Sequence, residues 1–98
     1  MHHASHIPLT PAELTDETLI GAPVYDHQDN KLGTMDHVHH SAASTRVVID
    51  VGGFLGIGAK PVLLGLDQID MMRDAGGRVL GVTAWTRSQL QDLPEHRD

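Results

Sequence analysis

The sequence predicts a mostly β fold, a small barrel of five to six short antiparallel strands with a short C-terminal helix. Three observations carry that expectation. Runs of Val, Ile and Leu are brief and are repeatedly interrupted by Gly, Pro, Asn, Asp and Ser, the punctuation of strands and turns. Apolar residues are 40% of the 98-residue chain but aromatics only 3%, so the core must be packed from aliphatic side chains, with Phe54, Tyr25 and Trp85 as isolated large pieces. Four glycines, Gly52, Gly53, Gly56 and Gly58, crowd one segment, which forbids a regular element there and demands a loop.

Taken in order, residues 1–15 form a flexible polar lead-in, mobile or draped on the barrel, where Pro8 and Pro11 limit any helix to a turn around Ala12-Glu13-Leu14. Residues 16–94 form the barrel domain and residues 95–98 a tail. Thr18 to Tyr25 reads as the first strand, with Pro23 favouring an edge or a bulge. Asp26 to Asn30 supplies a turn in which Asn30 can adopt the left-handed conformation, and Lys31 to His40 returns as the second strand. There Met35 and Val38 break strict alternation and predict a bulge near Asp36 or His37.

Arg46 to Val51 is the most hydrophobic strand, with Val47, Ile49 and Val51 on one face, and is expected to be central. Pro61 to Leu66 follows the glycine loop as another strand, and Asp67 to Met71 reads as a turn or one helical turn. A hairpin is predicted around Ala75-Gly76-Gly77, between Met71-Met72-Arg73 and Arg78 to Thr83. Thr86-Arg87-Ser88-Gln89 has the capping-box form, Leu90 and Leu93 give an apolar side and Pro94 stops the helix.

Gly21-Ala22-Pro23-Val24-Tyr25-Asp26, the return Lys31-Leu32-Gly33-Thr34-Met35 and the loop Val51-Gly52-Gly53-Phe54-Leu55-Gly56-Ile57-Gly58-Ala59-Lys60 followed by Leu66-Asp67 together resemble the PRC-barrel superfamily. That family includes the barrel of the photosynthetic reaction centre H subunit and the C-terminal domain of the ribosome maturation factor RimM. The resemblance covers Leu19 to Leu93. It implies a stand-alone bacterial docking or adaptor barrel, with Gly52, Gly53, Phe54, Leu55, Gly56, Ile57, Gly58 and Lys60 as the structural signature loop.

Composition narrows the function classes. The chain has no cysteine, which removes disulfides, thiolate metal sites and cysteine nucleophiles together. A net charge of −6 with scattered basic residues argues against direct nucleic-acid binding. Protonating all eight histidines would carry that charge from −6 to +2, so mild acid is expected to alter how the surface associates. No window approaches a membrane span and no signal peptide is recognisable, so the expected setting is the cytoplasm.

Candidate sites follow from residue chemistry. Gly53 to Lys60 nearly spells a phosphate-binding loop, but Ala59 intrudes before Lys60 and Pro61 stands where a Ser or Thr would hold magnesium. His37, His39 and His40 are the densest titratable cluster. On a strand His37 and His39 would share a face about 7 Å apart, with Glu17 or Asp16 as a further metal ligand across the first hairpin; a solvated polar face is the commoner outcome. Met1-His2-His3 has the donors of a terminal copper or nickel site. Ser41, Ser44 and Thr45 lie near His39, His40 and Asp36 but lack a strained nucleophile turn.

Trp85 and Leu93 are the candidate interface residues. The expectation is therefore a non-enzymatic adaptor without cofactor, acting through protein–protein contacts with an unidentified protein partner and as a homodimer. The alternative is a ligand or metal sensor on the His37 to His40 surface.

Overall fold

A computed structural model describes residues 7–40, 44–52 and 60–96. The strands are β1 (Ile7–Pro8), β2 (Pro23–Tyr25), β3 (Lys31–His40), β4 (Thr45–Val51), β5 (Lys60–Gly65), β6 (Ile69–Arg73) and β7 (Val79–Thr83). They join in one seven-stranded sheet in the order β1-β6-β7-β2-β3-β4-β5. Short helices, α1 (Asp16–Leu19) and α2 (Arg87–Gln91), flank it, with single 3-10 turns at Pro11–Glu13 and Leu66–Gln68.

Alternation along the strands sends one face inward. Val24, Leu32, Met35, Val38, Val47, Ile49, Val51, Val62, Leu64, Ile69 and Met71 form a single buried cluster with Leu19 and Leu90 from the two helices. One face of one sheet feeding one core requires the sheet to curl, which is the barrel form. β4 lies between β3 and β5 in antiparallel register, as its apolar run predicted. The register slips between Met35 and His37, so Asp36 is the expected bulge residue. Gly33 lets β3 approach β4: a Cβ there would lie 2.2 Å from the Asp50 carbonyl oxygen.

The β2–β3 and β6–β7 hairpins turn on the same device. Asp26 accepts the N–H groups of Gln28 (2.8 Å) and Asn30 (2.9 Å), and Asp74 accepts those of Gly76 (2.9 Å) and Arg78 (3.0 Å). The left-handed residue comes third after the aspartate in each, Asp29 at φ 64° and Gly77 at φ 83°. The expectation of a left-handed Asn30 is thus corrected: Asn30 is held by Asp26, and the positive φ falls one residue earlier.

Other readings are revised. Thr18 and Leu19 are helical rather than strand, because Thr15 caps the turn by accepting the Thr18 N–H at 3.4 Å. Lys31 pairs with Tyr25 through an irregularity between Val24 and Tyr25. β6 begins at Ile69, earlier than Met71, since the 3-10 turn is over by Gln68. Among the described residues the strands number seven, because Ile7 and Pro8 pair with Arg73 and Met72. The sheet is mixed, for β2 runs parallel to β7, with Val24 opposite Gly81.

Candidate functional site

Three surfaces concentrate what is available for recognition: a groove beside β6, the outer face of β3 and β4, and the free edge of β5.

The groove follows from how the lead-in is tied down. Beyond the β1 pairing, Leu9 N–H donates to the Met71 carbonyl at 3.0 Å. Glu13 accepts the Thr10 N–H at 3.0 Å and pairs with Arg73 at 3.2 Å. The Thr10 amide and hydroxyl, and then Arg73, hold the Glu13 carboxyl below its usual range. This tether leaves a cleft of about 430 Å³ between lead-in and strand, with Leu9, Leu14, Leu66, Met71 and Met72 in its walls. Close by, Ile7 is 68% exposed. Two methionines give such a cleft adaptable walls.

The histidine cluster is divided. His37 and His39 share the outer face as expected, their ring centroids 4.6 Å apart, and His96 from the C-terminal segment adds a third ring 5.3 Å from His39. His40 turns elsewhere and meets the Asp16 carboxylate, 2.5 Å from its Nε2; Glu17 is exposed on α1. Of the two carboxylates considered across the first hairpin, it is Asp16 that reaches a histidine. Among the described residues no group of three or more His, Cys, Asp or Glu is set to hold a metal ion. Asp50 lies on the same outer face, and its carboxyl is pushed up by burial and then by the neighbouring Asp36. Beneath these groups Val48, opposite His37 and Leu63, is buried at 4% exposure.

Trp85 and Leu93 are half-buried and pack against the core, which is the packing role open to Trp85 beside the terminal helix. Thr86 caps α2 by accepting the Gln89 N–H at 3.2 Å, and Leu90 is fully buried. Arg87 reaches back from this helix to the carbonyls of Gly52 (2.8 Å) and Lys31. Gly53, Phe54, Leu55, Gly56, Ile57 and Gly58 of the signature loop lie outside the described residues, as do Met1-His2-His3 and Ser41. The loop's flanks are described: Lys60 starts β5 and donates from Nζ to the Gln91 carbonyl at 2.6 Å.

Sequence reasoning placed His96 only in the tail after Pro94, a candidate for partner contact, and did not join it to the histidine cluster. It also missed the groove, which arises from residues some sixty positions apart in the chain, such as Glu13 and Arg73.

A curled sheet around one aliphatic core, with a polar outer face and a terminal helix against the core, defines a small β-barrel module. The family model for the PRC-barrel domain matches residues 11–84, and the chain belongs to that family. No curated protein matches it. Among the described residues, no helix is long and apolar enough to cross a membrane.

Proposed function

We propose that this PRC barrel is a non-enzymatic docking module that works in the cytoplasm through protein–protein contacts, the first of them with a second copy of itself. The observation that carries the reading is the groove beside β6, an apolar cleft of about 430 Å³ next to the exposed Ile7. An exposed aliphatic side chain and a cleft lined by Leu and Met on one molecule are a donor and an acceptor for each other, and two copies related by a two-fold axis bury both. A 98-residue domain with an aliphatic core also gains proportionately from such burial.

The sensor reading on the His37 to His40 surface has less support. His40 is engaged with Asp16 rather than joined to His37 and His39, which leaves two histidines of the predicted cluster together.

The groove reading is tested by sedimentation of the parent, Ile7→Asp and Met72→Glu. A reversible dimer in the parent that weakens about tenfold or more in both variants is the expected result. A parent that stays monomeric at high concentration, or a dimer indifferent to both changes, overturns it.

A further inference from the structure

A sheet with a free edge invites pairing with another chain, and the edge strand β5 carries an internal answer to that invitation. In an antiparallel ladder the N–H and C=O of one residue point to the same side, alternating along the strand. Pro61 has no N–H, and its carbonyl accepts the His96 N–H at 2.7 Å. Gly65 donates its N–H to Gln68 Oε1 at 3.2 Å. Pro61, Leu63 and Gly65 therefore face away from β4 along the free edge.

A two-fold antiparallel pairing of β5 with a second β5, centred on Leu63, would set Leu63 against Leu63 and Gly65 against Pro61 of the other copy. Gly65 N–H would donate to the opposite Pro61 carbonyl, and the two Leu63 residues would exchange both of their bonds. The donor that Pro61 lacks is missing once at each end of that ladder, opposite the Gly65 carbonyl. Of the two groups needed at its ends, the Pro61 carbonyl is occupied by the C-terminal segment and the Gly65 N–H by the Gln68 side chain, which must turn away as the ladder forms.

We infer that the C-terminal segment around His96 is an autoinhibitory strap, standing in for the strand of a second copy, and that displacing it opens β5 to two-fold pairing with another copy of this chain. Several contacts hold the strap in place. Its backbone bond to Pro61 is seconded by the contact of the His96 ring with His39 and, upstream, by the Lys60 bond to Gln91. The half-exposed Leu63 and the buried Val48 give the outer face next to this edge apolar character. Two Leu63 side chains brought together across the axis add an aliphatic cross-strand pair.

This interface uses β5, at the other end of the strand order from β1 and β6, while Leu66, next to Gly65, belongs to the groove wall. The test compares the full chain with the chain ending at Leu93 and with His96→Pro, which keeps the segment but removes its donor. Each is also made in the Met72→Glu background, so that the groove and the edge are read independently. Native mass spectrometry across a dilution series gives the association, circular dichroism the fold, and hydrogen exchange the protection of the Leu63 amide.

The expected result is self-association about tenfold tighter or more in both strap variants, in either background, with slower exchange at Leu63. Leu63→Lys, placed on the outer face where it leaves the core intact, should abolish the gain. Folded strap variants whose mass follows the parent, or a gain that survives Leu63→Lys, overturn the inference.

Discussion

The half of the sheet made by β3, β4 and β5 and the half made by β1, β6, β7 and β2 are built in different ways. In the first, strands of ten, seven and six residues, consecutive in sequence, pair antiparallel. In the second, the strands have two to five residues, and although β6 and β7 form a local hairpin, β1 joins β6 and β2 joins β7 from far apart in the chain. Ile7 meets Arg73, and Val24 meets Gly81 in parallel. Local pairing closes small loops and is strongly specified by the hydrophobic pattern, whereas distant pairing must first pay for closing long ones. The groove proposed for recognition lies in the second half, where a short strand and a side-chain tether hold the lead-in. Segments with few backbone bonds open at low cost.

The largest expected effect breaks the first half. Gly33→Ala forces a Cβ against the Asp50 carbonyl, 2.2 Å away, and parts β3 from β4. A loss of about 4 kcal/mol, visible as a collapsed urea midpoint, is expected. Gly81→Ala sharpens the comparison in the second half, since its Cβ would meet the Ile69 and Met71 side chains at 2.7 and 3.0 Å rather than backbone. Those side chains can shift, so the cost there should be smaller.

Next is Leu90→Ala. Leu90 is fully buried and joins α2 to the shared core, and truncation should cost about 3 kcal/mol in a denaturant titration. A loss under about 1 kcal/mol would show that the helix is not integral to the core.

Glu13→Gln separates local from global stability. It removes the charge that Arg73 and Thr10 face, so amides at Leu9 and Leu14 should exchange faster while the melting temperature barely moves. Because the folded Glu13 carboxyl is held low, its contribution is present at neutral pH and is lost as acid takes the pH down through its folded value.

Asp50→Asn should have the smallest effect and the opposite sign. The folded state holds the Asp50 proton more tightly than the unfolded chain, so the ionised form weakens the fold at neutral pH, and this cost fades as pH falls through the raised value. The variant should melt slightly higher than the parent at neutral pH, with the difference closing in acid. A difference that widens in acid would contradict the assigned cause.

The same division decides what could be read from the sequence. The alternation in Val47, Ile49 and Val51, the bulge at Asp36 and the Thr86 cap are local signals, and each sits where its residues point. The turn aspartates Asp26 and Asp74 were equally local. Their role was obscured because Asn30 and the Gly76-Gly77 pair drew the conformational reading to themselves. The β1 pairing, the parallel contact of β2 with β7 and the approach of His96 to His39 join residues that no local pattern connects. The candidate site was accordingly half legible. His37 and His39 were placed together by strand period, but the third ring and the groove were set by tertiary closure.

The measurement that bears most directly on the docking reading is sedimentation equilibrium of the parent beside Met72→Glu. A parent dimer that dissociates on dilution, with the folded variant monomeric at the same concentration, is the predicted result. A parent that remains a monomer, or a variant dimer of undiminished strength, would contradict it.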